Sequence, residues 1–176
     1  MSKKIWYSLT AVLVIASFVL AACGGAAPAT QAPAAAKLGV GIVLPTKDEP
    51  RWIQDQTRFQ DALTKDGYDV QILFSQGDSA KEKANVEALI SQGIKVLIIT
   101  PQDAAAAASS VEEARKAGIK VISYDRLVTG TDAVDFYVTF DSITVGKAQA
   151  QYLVDHATGK NNPLYLYAGA ASDNNA

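Results

Sequence analysis

Ser91-Gln92-Gly93-Ile94-Lys95-Val96-Leu97-Ile98-Ile99-Thr100 and, 25 residues later, Lys116-Ala117-Gly118-Ile119-Lys120-Val121-Ile122-Ser123-Tyr124 share one pattern. A helix runs out, Gly appears, and an apolar run begins. Lys65-Asp66-Gly67-Tyr68-Asp69-Val70 shows the same pattern 26 residues before the first of these. Gly just past a helix takes the left-handed conformation that closes it. A period near 25 suits one strand, one crossover helix and two short loops.

The apolar runs are Leu38–Leu44, Val70–Phe74, Val96–Thr100, Val121–Tyr124, Phe136–Phe140 and Leu164–Tyr167. They are continuous rather than alternating, so both faces are expected to be covered, as in a parallel sheet. The intervening segments are amphipathic. In Arg51–Lys65, Gln56, Phe59 and Leu63 share a stripe. In Ser79–Gln92, Val86, Leu89 and Ile90 do so, with Lys81, Glu82 and Lys83 read as lying off it. Ser79-x-x-Glu82 fits a capping box, and Asp103 and Ser142 are candidate N-caps. Ala104–Ala108 reads as helix. The expected fold is α/β, an open doubly wound parallel sheet of about six strands with five helices.

Upstream of this unit, Lys3 and Lys4 precede an uncharged stretch from Ile5 to Ala22 that ends Leu20-Ala21-Ala22-Cys23-Gly24. A basic start and an apolar run mark residues 1–22 as a signal peptide. Small residues before Cys23 resemble a bacterial lipoprotein processing site, which would leave Cys23 lipidated. The alternative is an uncleaved membrane anchor. Residues 23–36, rich in Ala and Pro, read as a tether too poor in large apolar groups to order themselves. Residues 37–176 form the folded unit.

Composition narrows the function. The 176 residues carry 16 basic and 18 acidic side chains, and the net charge of −2 gives no nucleic-acid footprint. Loss of Lys3 and Lys4 would leave 14 basic against 18 acidic side chains, a net −4. One Cys excludes an intrachain disulfide, and one Cys with one His argues against a zinc centre. No cofactor is expected. Gly39-Val40-Gly41 starts like a dinucleotide fingerprint, but the third Gly is missing and the first two lie inside the strand. There is no phosphate loop of the GKS or GKT kind and no Gly-x-Ser-x-Gly elbow.

Ligands of such sheets sit beyond the carboxyl ends of the strands. The residues there are Pro45 to Trp52, Thr100 to Asp103, Asp125-Arg126, Asp141, and Gly169 to Asn175. Asp can accept from two vicinal hydroxyls, Arg donates a fork of N–H groups, and an indole covers C–H faces. That set suits a small polyhydroxylated ligand. Plainer readings stand beside it. Asp125 and Arg126 could be a surface pair, Trp52 could be core because it lies seven residues before Phe59, Lys47 could be solvated, and Asp141 could cap the following helix. A carboxylate enzyme acting on sugars is the competing class. Carboxylates beside Arg126 or in donor-rich loops suit binding better than proton donation.

At GIVLPTKDEPRW (41–52), GIKVLIITPQD (93–103), GIKVISYDRLV (118–128), FYVTFDSITVGKAQA (136–150) and ASDNNA (171–176), the chain resembles the periplasmic sugar-binding proteins of ABC importers. The likeness is to the xylose-binding and ChvE-type multiple-sugar-binding subgroup, and it covers nearly all of 37–176. The resemblance implies a type I periplasmic-binding-protein fold and a receptor rather than an enzyme. Lys47, Arg51 and Trp52 would line the pocket. Asp125 and Arg126 would bind ring hydroxyls and the ring oxygen. Asp173 and Asn175 would add polar contacts at the crossing to a second domain, and Asp141 would shape the cleft. Ser172-Asp173 departs from the family's SP-x-DNNA pattern. The family has two lobes, so 37–176 is expected to be the N-terminal lobe, with the chain stopping at the hinge.

The implied partners are a monosaccharide such as xylose or a related aldose, an ABC permease, and a membrane reached through lipid on Cys23. The implied place is the outer face of the cytoplasmic membrane or the periplasm. A sugar-sensing receptor subunit for a membrane kinase, a half-receptor without function, and a half-length protein completed by dimerisation are the other readings.

Overall fold

A computed structural model describes residues 36–159, 161–173 and 175. The expected signal peptide, Cys23 and nearly all of the tether lie outside the described residues. Five strands follow in order: β1 (Gly39–Leu44), β2 (Asp69–Phe74), β3 (Val96–Ile99), β4 (Lys120–Tyr124) and β5 (Phe136–Val138). Four helices connect or follow them: α1 (Pro50–Lys65), α2 (Ser79–Ser91), α3 (Ala108–Lys116) and α4 (Ser142–His156). All pairings are parallel and the sheet order is β2-β1-β3-β4-β5. The chain therefore leaves β1 toward one side and β3 toward the other. The gap between their carboxyl ends is the topological switch point where such sheets bind ligands.

The repeat that decided the fold is built as its sequence implies. Gly67, Gly93 and Gly118 take φ of +90°, +79° and +76°. Each lets the next N–H reach back to the helix: Tyr68 to Leu63, Ile94 to Leu89 and Ile119 to Ala114. A side chain at these φ values would be strained.

Alternation along each strand sends residues to two cores. Val40, Ile42 and Leu44 of β1 join Trp52, Phe74 and Ile98, with Phe59 and Leu63 of α1 packed against them. Val43, Leu97, Ile99 and Val121 face the other way onto Val86, Leu89, Val111 and Ala114 of α2 and α3. Helices thus cover both faces. A Cβ on Gly41 would lie 2.7 Å from Ile94 Cδ1 and 2.9 Å from Leu89 Cδ1. The Gly39-x-Gly41 pair is therefore a packing feature. Gly41→Val is expected to cost about 1–3 kcal/mol through overpacking, measured as a lower urea midpoint at unchanged slope.

Several expectations are corrected. The six strands and five helices become five and four among the described residues. Leu164–Tyr167 is not a strand, and its side chains are 68–95% exposed. The strand beside which it would lie is short. β5 stops at Val138, and the Thr139 hydroxyl donates to the Asp125 carbonyl instead. α4 buries no residue.

The caps move as well. Asp78, not Ser79, caps α2 by accepting from Lys81 N–H at 2.9 Å. Glu82 is then free of the box and turns inward. Asp103 accepts from the N–H groups of Ala105 and Ala106, yet α3 begins only at Ala108. Ala104 is held by both neighbours, its N–H donating to Ser172 and its carbonyl accepting from Thr129, so the first turn does not wind as α-helix. Asp141 caps α4, with Ser142 as its first residue. No helix among the described residues is long and apolar enough to cross a membrane.

Candidate functional site

β4 delivers Asp125 and Arg126 to the carboxyl edge of the sheet through a strained turn. Asp125 has φ of +62°, a conformation that costs a non-glycine residue on the order of 1 kcal/mol and persists only where its surroundings hold it. They do. Its N–H donates to Val138 O at 2.8 Å. Its carbonyl accepts from Tyr137 Oη at 3.0 Å, Thr139 Oγ1 at 2.9 Å and Asn175 Nδ2 at 2.8 Å. The side chain of this residue is buried, and Oδ1 lies 2.7 Å from Arg51 Nη2.

Arg51 enters from the first turn of α1, where Pro50 opens the helix. Its guanidinium also lies 3.7 Å from Asp55 one turn on, and 4.3 Å from the Trp52 ring centroid. Asp55 is buried and accepts a hydrogen bond from Tyr124 Oη at 3.1 Å. Partial burial lowers the Arg51 affinity for its proton, but Asp125 and the Tyr124 hydroxyl outweigh it, so the pKa stands above the ordinary value. The Tyr124 hydroxyl is raised by burial and by the adjacent Asp55 charge.

Arg126 is the second cation. Its Nε lies 2.8 Å from Asp173 Oδ2, and its Nη1 donates to Pro101 O at 3.3 Å. Its guanidinium stands 5.8 Å from the Trp52 ring. Asp173 in turn accepts from the Asn175 N–H. Five residues singled out in the sequence, Arg51, Asp125, Arg126, Asp173 and Asn175, therefore form one linked group drawn from three distant segments.

The other three sit differently. Trp52 is 1% exposed and belongs to the core, its ring lying near both arginines. Lys47 is exposed, with its Nζ 4.9 Å from the Phe74 ring centroid. Asp141 is exposed, and its two oxygens take the Thr144 N–H and hydroxyl. The Thr144 hydroxyl first, then its N–H, hold the Asp141 carboxyl below the usual range.

Sequence reasoning missed two buried carboxyls near this group, Asp55 and Glu82. Both had a signal. Asp55 lies four residues before Phe59, and Glu82 four before Val86 and seven before Leu89, which places each on its helix's buried stripe. Among the described residues, no group of three or more His, Cys, Asp or Glu could hold a metal ion.

The group can do one thing well. It presents carboxylate acceptors and guanidinium donors side by side over an aromatic floor, as ring hydroxyls require. It contains no Ser, Cys or His poised as a nucleophile.

The periplasmic binding protein domain matches residues 40–176. The multiple sugar-binding periplasmic receptor ChvE of Rhizobium radiobacter is 36% identical over 167 residues, 93% of this chain and 47% of its own length. The D-xylose-binding periplasmic protein of Escherichia coli K12 is 31% identical over 92% of this chain and 48% of its own. A carbohydrate transporter solute binding protein from Chloroflexus aurantiacus, solved with D-glucose, is 75% identical. It superposes with a TM-score of 0.75 over 80% of this chain and 41% of its own. The chain spans about half the length of the curated relatives it matches. These are named as binding proteins and receptors, not as enzymes. By sequence and by fold, the chain belongs to the periplasmic binding protein family.

Proposed function

We propose that residues 37–176 form the N-terminal lobe of an extracytoplasmic receptor that captures a monosaccharide for an ABC importer. Residues 1–22 act as signal peptide, and lipid on Cys23 with the tether 23–36 holds the lobe near the membrane. The observation that carries the reading is the convergence of Arg51, Asp125, Arg126, Asp173 and Asn175 at the switch point.

Asp125 accepts from two vicinal hydroxyls, and Arg126 donates to a hydroxyl and the ring oxygen. Arg51 screens the buried Asp125 charge. Asp173 and Asn175 tie this half of the site to the crossing segment. Trp52 supplies the floor under the arginines, while Lys47 and Asp141 belong to the rim. D-glucose is the first candidate because the 75%-identical protein was solved with it, and D-xylose the second.

One lobe leaves the sugar open to water, where charged hydrogen bonds lose their low-dielectric advantage. A second lobe closing on the ligand supplies both the affinity and the signal that a permease reads. Calorimetry with this chain should therefore give affinity for D-glucose no tighter than about 1 mM, equivalent to about 4 kcal/mol. Asp125→Ala should weaken it by about 10–100-fold, to no measurable heat, because each charged hydrogen bond is worth about 1.5–3 kcal/mol. Micromolar binding by the chain, or unchanged binding by Asp125→Ala, would overturn the reading.

A further inference from the structure

Glu82 is the charged side chain that the ligand group leaves unexplained. It projects from α2 and is 1% exposed. Its Oε2 accepts from Gln102 N–H at 2.7 Å, and Ser75 Oγ lies 3.5 Å away. Ser75 follows β2 and Gln102 follows β3, so the carboxyl joins two loops at the ligand edge of the sheet. The residue before Gln102 is Pro101, whose carbonyl receives Arg126 Nη1. A continuous chain thus runs from Ser75 through Glu82, the 101–102 peptide and Arg126 to Asp173.

We propose that Glu82 is a positioning residue for Arg126, holding from below the Pro101–Gln102 peptide against which the guanidinium rests. The ionised carboxyl makes a charge-assisted bond to Gln102, roughly twice the strength of a neutral one. Its negative charge also favours Arg126 in this position. Protonation removes both effects while leaving the side chain in place.

The group is poised for that change. Burial is the main cause that raises its pKa, to about 7, opposed by the Gln102 and Ser75 hydrogen bonds and the Arg126 charge, and reinforced by Asp103. Arg126 and Asp103 are the charged groups that act on it, and Ser75 and Gln102 N–H are its hydrogen-bond partners. Arg126 should therefore be held more firmly above pH 7 than below it, and a ligand that needs Arg126 should bind more tightly at alkaline pH.

The test is an NMR titration of the isotope-labelled chain from pH 5.5 to 8.5. The Glu82 carboxyl carbon, the Gln102 amide and the Arg126 Nε are expected to move together, with one midpoint near 7. In Glu82→Gln, the Gln102 and Arg126 steps should vanish. The wild-type titration decides the matter even if that variant folds poorly. An Arg126 signal that stays flat while Glu82 titrates would overturn the proposal and leave Glu82 a structural strut.

The ligand consequence rests on the sugar reading and is measured separately. D-glucose should bind the wild-type chain about three- to tenfold more tightly at pH 8 than at pH 6, from the gain of one charged over one neutral hydrogen bond. Glu82→Gln should show no difference. Equal wild-type affinity at both pH values would count against the coupling. No glucose binding at either pH would sink the sugar reading, while the Arg126 titration would still decide the role of Glu82.

Discussion

Trp52→Ala is expected to destabilise the fold of residues 37–176 by about 3–5 kcal/mol, the range for removing a buried aromatic side chain. Trp52 is 1% exposed and packs with Val40, Ile42, Leu44, Phe74 and Ile98 on one face of the sheet. Truncation would leave a cavity between α1 and the ends of β1, β2 and β3. It would also remove the ring beside the guanidinium of Arg51, a contact worth about 0.5–1 kcal/mol where exposed. A domain holds only about 5–15 kcal/mol in total, so the variant should unfold at much lower urea. Trp52→Phe should recover most of the loss. If Trp52 instead served as an exposed stacking plate for a sugar, Trp52→Ala would change the urea midpoint little and affinity much. The denaturation curve separates the two roles without any ligand.

Glu82→Gln should act in the opposite direction, and in a pH-dependent way. In the unfolded chain this carboxyl titrates near 4.5, whereas in the fold burial raises it to about 7. Between these values the folded state holds a proton that the unfolded state has lost. Stability from this group therefore falls as pH rises from about 4.5 to 7 and is level above that. At about 1.4 kcal/mol per pH unit the full loss is on the order of 3 kcal/mol. Glutamine matches the neutral form, so the variant should equal wild type near pH 4.5 and exceed it by up to about 3 kcal/mol at pH 8. Urea melts of both proteins at pH 4.5, 6 and 8 check this, because other carboxylates cancel in the difference. A constant difference across pH would show that Glu82 does not titrate in this range. A carboxyl retained against such a cost fits a role in presenting Arg126 rather than in holding the fold together.

The architecture was legible because it depends on short-range signals repeated at fixed spacing. Gly67, Gly93 and Gly118 announced the helix ends, and continuous apolar runs announced strands covered on both faces. The converging residues were legible for a related reason. Once the end of β4 is placed, Asp125-Arg126 has few other locations, whereas Asp173 and Asn175 were assigned polar contacts only by the family resemblance and reach the group although the strand expected before them does not form. What escaped depended on which way one side chain turns. Glu82 sits between Lys81 and Lys83, so it read as part of a solvated face, although its spacing to Val86 and Leu89 puts it on the buried stripe. Asp78 took the cap that Ser79 seemed built for, and one residue of shift released Glu82 inward. Asp141 offered the right chemistry at a strand end, yet the nearest donors were those of its own helix. Leu164–Tyr167 has a strand's composition, but pairing requires an edge, and β5 offers three residues.

We propose that Arg51, Asp125, Arg126, Asp173 and Asn175 are one half of a sugar site. An NMR titration of the labelled chain with D-glucose tests it most directly. Saturable shifts are expected at about millimolar sugar, confined to Asp125, Arg126, the Arg51 Nε, Asp173 and Asn175, and absent in Asp125→Ala. Shifts centred elsewhere on the chain, or none in a chain that remains folded, would contradict it.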